Sequence, residues 1–303
     1  MGASRQEGKY YVFALVTVLL WSTAASMVKT LTDSLPSLCI LGYTSLFASL
    51  FLLLLLLVRG QLGKLAAYGP AEYAKLAGLG LLGMFLYSAL YYFGIDRMTA
   101  QEACILNYLR PVMIVVFSCL ILKEPFTGRK AGAVALSFSG VLVIALWGLA
   151  QEGADFSGDF PGIAACVLAA VCYGLFCVLN KKLGLDQTVG MVVFWGVTCL
   201  CSFGYCLVRG DLTLLSLPQL GGVVWLGIMV DGLPYLLWAV AINGVKNTAR
   251  IANLAYLTPI LSVIVSAAAL GEALSPAYLI ALLLILAGIV IQNLPEGRKQ
   301  IKR

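Results

Sequence analysis

Residues 99–122 read TAQEACILNYLRPVMIVVFSCLIL, and residues 247–270 read NTARIANLAYLTPILSVIVSAAAL. Tyr108-Leu109-Arg110-Pro111 in the first stretch recurs as Tyr256-Leu257-Thr258-Pro259 in the second, 148 positions on (108 to 256, 111 to 259). The same ungapped offset pairs Leu106 with Leu254, Ser118 with Ser266, Leu122 with Leu270, Glu124 with Glu272 and Gly140 with Gly288. Self-similarity at half the chain length marks a duplicated folding unit. The repeat also isolates an anomaly. Where the second copy has Thr258, the first sets Arg110 in the middle of an apolar run.

Each stretch is about as long as a membrane is thick, since roughly 20 apolar residues at 1.5 Å rise cross a hydrocarbon layer of about 30 Å. The rest of the chain has the same character: 61% of its 303 residues are hydrophobic, 11% are charged, and the mean hydropathy is +0.96. A water-exposed surface needs far more charge than that. Ten spans are expected, near 10–31, 36–58, 73–95, 99–122, 129–150, 160–182, 187–208, 217–244, 247–270 and 276–294. Leu-rich runs such as Phe51 to Val58 lack the alternation of a membrane barrel and read as helix. Most prolines fall between spans, but Pro111, Pro234 and Pro259 lie inside them and are expected to bend their helices as hinges. The first span is too long for the apolar core of a signal peptide and counts as a helix.

With the N-terminus inside, Lys29, Arg97 and Arg209 are the only basic residues on the outer side, and Arg110 is the only one at mid-depth; the rest of the 20 Lys and Arg face the cytoplasm. That bias predicts a multi-pass protein of the bacterial cytoplasmic membrane with both termini in the cytoplasm. It also assigns the net charge of +6 to topology and the lipid bilayer, not to nucleic acid. The nine cysteines lie in or beside spans without a CxxC pair, and the chain has no histidine. Neither a metal nor another cofactor is expected.

Five helices per copy is an odd number, so the second copy must enter the membrane from the opposite side. The expected fold is an all-α polytopic membrane protein: ten transmembrane helices as two inverted five-helix repeats, residues 1–150 and 151–303. Trp21 and Tyr173 are related by a slightly larger offset. In such architectures the binding site lies near mid-depth, between the halves.

The paired Tyr-Leu-x-Pro signatures, each with a Glu thirteen residues after the proline (Glu124, Glu272), and the opening Leu20-Trp21-Ser22-Thr23 resemble the drug/metabolite transporter superfamily in its ten-helix EamA-type form. Ala100–Pro111 and the run Gly232 to Trp238 are most similar to its aromatic amino-acid exporter branch (YddG-like). The resemblance covers essentially the whole chain and implies export of amino acids or other small metabolites. The chain departs from the branch at Arg110, where Trp is common, and at Gly42-Tyr43, where many relatives carry Arg.

A charge at mid-depth costs at least roughly 2.5–3.5 kcal/mol on insertion scales and must face a cavity or a partner. Arg110 and Asp231 are the two such residues. Either they bracket a polar cavity, Arg110 taking a substrate carboxylate and Asp231 an ammonium, or they form a structural ion pair suited to a different anionic or cationic cargo. Asp231 is also a candidate for proton coupling. Asn107 shares a helix face with Arg110, while Asp231, Tyr235 and Trp238 form a second stripe and Tyr87 and Tyr91 a third. Trp21, Tyr108, Tyr173, Asn253 and Tyr256 complete the expected substrate-binding set, whose aromatic walls suit a flat or apolar side chain. A membrane enzyme would need a nucleophile–base pair or a metal cluster, and neither pattern is evident. No ATP-binding motif occurs, so transport must draw on gradients. Glu124 and Glu272 read as caps or loop anchors.

Overall fold

The computed structural model describes residues 2–152, 160–245, 251 and 254–293; among them every regular element is helical. Eight helices are long and apolar enough to cross a membrane: Gly8–Thr32, Ser37–Val58, Pro70–Arg97, Ala100–Ile121, Gly128–Trp147, Phe160–Leu183, Gln187–Arg209 and Leu217–Gly244. Two shorter apolar helices follow, Leu257–Leu270 and Pro276–Ile291. The chain is a multi-pass membrane protein. The expected ninth span begins among residues that lie outside the described set.

Several spans are interrupted. The first consists of α1 (Gly2–Ser22) and α2 (Ala24–Thr32), separated at Thr23. After α3 (Ser37–Val58), the third span runs as α4 (Pro70–Gly80), a π-helical segment Leu81–Leu86, and α5 (Tyr87–Arg97). The fourth is α6 (Ala100–Asn107) and α7 (Arg110–Ile121), broken by a turn at Tyr108 and Leu109. Three unbroken helices follow: α8 (Gly128–Glu152), α9 (Phe160–Leu183) and α10 (Gln187–Arg209). The eighth span repeats the pattern of the third, with α11 (Leu217–Val224), a π-helical segment Trp225–Val230, and α12 (Leu233–Gly244). The chain closes with α13 (Leu257–Leu270) and α14 (Pro276–Asn293).

The expectation that Pro111, Pro234 and Pro259 bend continuous helices needs correction. Pro111 and Pro234 stand at the second position of α7 and α12, and Pro259 at the third of α13. A first turn has no use for a backbone N–H donor and favours the fixed proline φ, so these prolines start the second half of a broken span.

α8 and α14 pack through glycine in a reciprocal manner. A Cβ on Gly140 would meet the Ala281 carbonyl oxygen at 2.8 Å, and one on Gly288 would meet the Ala133 carbonyl oxygen at 2.6 Å. Ser137 Oγ donates to the Ile285 carbonyl between them, at 3.5 Å. Residue numbers rise along one helix as they fall along the other, so the pair is antiparallel. Elsewhere Gly83 accommodates the Phe176 ring, and Gly174 lies against the backbone of Met113 and Ile114. Gly80 touches the Phe194 backbone, whereas Gly78 meets nothing. Gly94 lies against Cys166, so close packing of helices takes three of the four glycines in the third span.

Two devices tie the ends. Lys29 Nζ donates to the carbonyls of Ile95 and Asp96, both at 3.0 Å, covering the C-terminal end of α5. Gly271, at φ 69, ends α13 in the left-handed region that glycine favours. The next residue, Glu272, then accepts from the amides of Ala100 at 2.6 Å and Gln101 at 3.1 Å, capping α6 from a distant part of the chain. Its repeat partner Glu124 pairs instead with Lys130 at 3.7 Å. Both glutamates hold structure, as their positions at span ends suggested.

Candidate substrate site

The interruptions converge on one central cavity of about 310 Å³. Its wall takes Trp21 from the end of α1, Tyr87 and Tyr91 from α5, Asn107 from α6, and Tyr108, Arg110 and Pro111 from the break between α6 and α7. Tyr173 of α9, Asp231 at the close of the second π segment and Tyr235 of α12 complete the expected residues that line it. Trp238 does not; it stands behind Trp21, ring centroids 5.4 Å apart. Tyr256, Pro234 and Pro259 also lie off the wall, and Asn253 falls outside the described residues.

Arg110 is the first residue of α7, where the positive end of the helix dipole already favours an anion. Its Nε donates to the Asn107 carbonyl at 3.1 Å, satisfying one of the orphaned acceptors at the end of α6. One terminal nitrogen donates to Tyr87 Oη at 3.0 Å, and that hydroxyl donates onward to Asn107 Oδ1 at 3.3 Å. The guanidinium lies 4.8 Å from the Tyr173 ring centre and 5.4 Å from that of Tyr87, within cation–π range of both. Tyr91 stacks on Tyr87 at 6.0 Å with planes 10° apart. A guanidinium has five N–H donors, so this clamp fixes its plane and leaves donors for a ligand.

Asp231 lines the same cavity but forms no ion pair with Arg110 within 4.0 Å. A structural Arg110–Asp231 bridge is therefore not what this structure contains. The Asp231 amide reaches back to the Leu226 carbonyl at 2.9 Å, the long return of a π turn, which presents the side chain inward just before Gly232 breaks the helix. Trp21 packs edge-on against Tyr235 at 5.9 Å, closing this side.

The repeat is legible in the wall. Asn107, Arg110 and Ile114 line the cavity, and so do their counterparts 148 positions on, Ala255, Thr258 and Ser262. Aligning the two π segments (81 with 225) pairs Tyr87 with Asp231 and Tyr91 with Tyr235, and these four line it too. Arg110 bonds to Tyr87, and the residues that these two alignments pair with them are Thr258 and Asp231. Both charges line the one cavity.

Sequence reasoning missed Met84, Tyr92 and Trp195, which also face the cavity. Trp195 arrives from α10, a helix with no intramembrane charge to draw notice. Tyr92 adjoins Tyr91 on α5 and lines the cavity beside it.

The sequence profile of the EamA-like transporter family matches this chain twice, over residues 8–146 and 160–294. The chain is 25% identical to the aromatic amino acid exporter YddG of Ancylobacter novellus, covering 95% of this chain and 98% of that one. It is 26% identical to a probable terminal-alkyne amino-acid exporter of Streptantibioticus cattleyicolor, over 93% of each chain. A protein of Clostridium kluyveri described as an uncharacterized transporter is 25% identical over 96% of this chain and 94% of its own. One solved crystal structure, 22% identical, shares the fold with a TM-score of 0.67, covering 94% of this chain and 96% of that one. With its profile matched in both halves, the chain belongs to the EamA-like transporter family.

Proposed function

We propose that this protein is a secondary transporter that exports amino acids, aromatic ones among them, or closely related small zwitterionic metabolites by alternating access. The observation that carries the reading is the pair of opposite charges in one cavity. Arg110 is braced by Tyr87, Asn107 and Tyr173, and Asp231 is presented at the other corner without a salt bridge to it. A ligand carboxylate meets the free donors of the guanidinium, its ammonium meets Asp231, and the rings of Trp21, Tyr91 and Tyr235 pack on its side chain. A volume of about 310 Å³ lies at the small end of ligand sites, which suits a free amino acid. The descriptions of two relatives, an aromatic amino acid exporter and a probable terminal-alkyne amino-acid exporter, support the same class of cargo.

Alternating access in this reading rests on two inverted five-helix repeats, residues 1–150 and 151–303. The reciprocal contacts of α8 and α14 support it: each residue pair recurs with its members exchanged, as a two-fold axis requires. Because the helices are antiparallel, that axis runs across them, in the plane of the membrane. In this reading both termini lie in the cytoplasm of a bacterial cell, and the positive-inside bias supports that orientation. The reading involves no cofactor and no enzymatic step.

Uptake and counterflow in proteoliposomes, over a panel of amino acids, organic anions and organic cations, tests the proposal. Amino acids compete with one another while the corresponding monofunctional acids and amines compete weakly. A preference for anions or cations lacking the second charge would overturn it. An imposed pH gradient in the same vesicles decides whether export is proton-coupled.

A further inference from the structure

A second crevice opens at the surface of the bundle and shares no lining residue with the central cavity. It has a volume of about 420 Å³ and lies among Tyr10 of α1, Arg59 at the end of α3, and Leu236, Ala239, Val240, Asn243 and Gly244 of α12. Leu236, Ala239, Val240 and Asn243 fall at i, i+3, i+4 and i+7, one face of α12 about 10 Å long. The face is apolar along its length and polar only at the end where Arg59 and Asn243 lie.

The flanks mark this as a membrane-facing groove. Leu57 is 57% and Val58 77% exposed, so the turn that carries Arg59 emerges from chain built to meet hydrocarbon. Arg59 is exposed and has no ion pair among the described residues, although its backbone amide is held by the Leu55 and Leu57 carbonyls. Lys9 Nζ, 5.0 Å from the Tyr10 ring centre, puts a second cation beside the same opening. Asn243 Nδ2 donates to the Ala239 carbonyl at 2.8 Å, which fixes its amide at the rim. The Tyr10 ring seals the far wall by packing directly on Gly244.

We propose that this crevice binds an anionic glycerophospholipid. An acyl chain lies along Leu236, Ala239 and Val240, and the phosphate sits against Arg59 with Lys9 alongside. Charge selects the occupant. A membrane offers hydrocarbon everywhere, but two cations with no ion pair among the described residues, at the end of one apolar stripe, favour a negatively charged headgroup. The site bears on transport because α12 carries Tyr235 and follows Asp231 directly. A lipid wedged between α3 and α12 braces the helix that forms one wall of the central cavity.

Native mass spectrometry of the purified full chain with phosphatidylglycerol and phosphatidylcholine tests the site. The wild type retains phosphatidylglycerol in preference to phosphatidylcholine. Arg59→Gln lowers that preference about fivefold, the effect of one cation near a charged headgroup. Leu236→Trp fills the groove and lowers retention of both lipids, while Lys181→Gln, a cation at the end of α9, leaves the preference unchanged. Equal retention of the two lipids by the wild type, or an equal drop for Lys181→Gln, would overturn the proposal and leave only a diffuse attraction of basic loops for anionic membranes. The assay needs no transport, so its failure is separate from failure of the transport reading.

Discussion

Replacing Arg110 tests the transport reading most directly, provided that the ligand is varied along with the residue. Arg110→Leu removes the free guanidinium donors that face the cavity, and also the bonds to the Asn107 carbonyl and the Tyr87 hydroxyl. A hydrogen bond to a charged partner contributes about 1.5–3 kcal/mol, so losing the carboxylate contact weakens apparent affinity roughly 10- to 150-fold. The loss must depend on the ligand. Counterflow in proteoliposomes with phenylalanine, phenylalaninamide and phenethylamine separates the terms, since only the first carries a carboxylate. The variant loses phenylalanine transport by that factor and keeps the two amines near the wild-type level. Arg110→Lys retains a charge but not the planar fork and falls between them. Equal losses for all three ligands would show that Arg110 only holds α6 to α5, and the reasoning would fail. Wild-type transport of phenylalanine by the leucine variant would end it too.

Asp231→Asn gives the mirror result, weakening phenylalanine and phenethylamine while sparing 3-phenylpropionate, read in the same counterflow assay. Gly174→Ala forces a methyl group against the Met113 and Ile114 backbone and lowers stability by about 1–3 kcal/mol in thermal melts, whereas Gly196→Ala, with open space around it, changes little. Glu272→Gln leaves one acceptor for two amides, so hydrogen exchange at Ala100 and Gln101 speeds up about tenfold or more; unchanged protection would disprove the cap. Asp186 caps α10 through Thr188 and Val189. Partial burial raises its pKa, but the two amides and Lys64 outweigh this and hold it below the ordinary value. Since the folded pKa is the lower one, the stabilisation is complete above the unfolded value of about 3.9 and is lost as pH falls through the folded value. Asp186→Ala costs about 1 kcal/mol at neutral pH and converges with the wild type in strong acid, by thermal melts.

Membrane character, the duplicated motif and most of the cavity wall could be read from the sequence, because charges and prolines inside apolar runs are costly and must be accounted for. Arg110 and Asp231 announced themselves for that reason. Where the reading went astray, helix phase was responsible. Trp238 is expected to continue the stripe of Asp231 and Tyr235, yet its ring packs on Trp21 and does not reach the cavity wall. Tyr256 matches Tyr108 in sequence, but the turn in the second copy falls one residue earlier, at Ala255 and Tyr256 instead of at the equivalents of Tyr108 and Leu109. Ala255 lines the cavity as its counterpart Asn107 does, and Tyr256 does not. Met84 and Trp195 carry no charge, and apolar side chains that line a cavity look like those that fill a core.

The two π segments have a consequence for how this chain tolerates change. Leu81–Leu86 and Trp225–Val230 consist of apolar residues and glycine; Gly83 and Gly227 leave no room for a side chain and Met84, Leu226 and Val230 line the cavity, while the remaining leucines are of the kind a membrane helix uses freely. The number of residues is constrained in an unusual way. A π turn closes with one residue more than an α turn, so deleting one residue from either segment lets the helix relax to the regular α form with the face beyond it nearly unchanged. A deletion in the regular turns of α4 or α11 instead rotates everything beyond by about 100°, which carries Tyr87 away from Arg110 or Asp231 out of the cavity. The charge arrangement of the site thus tolerates a lost residue at the two π segments and not in the turns before them.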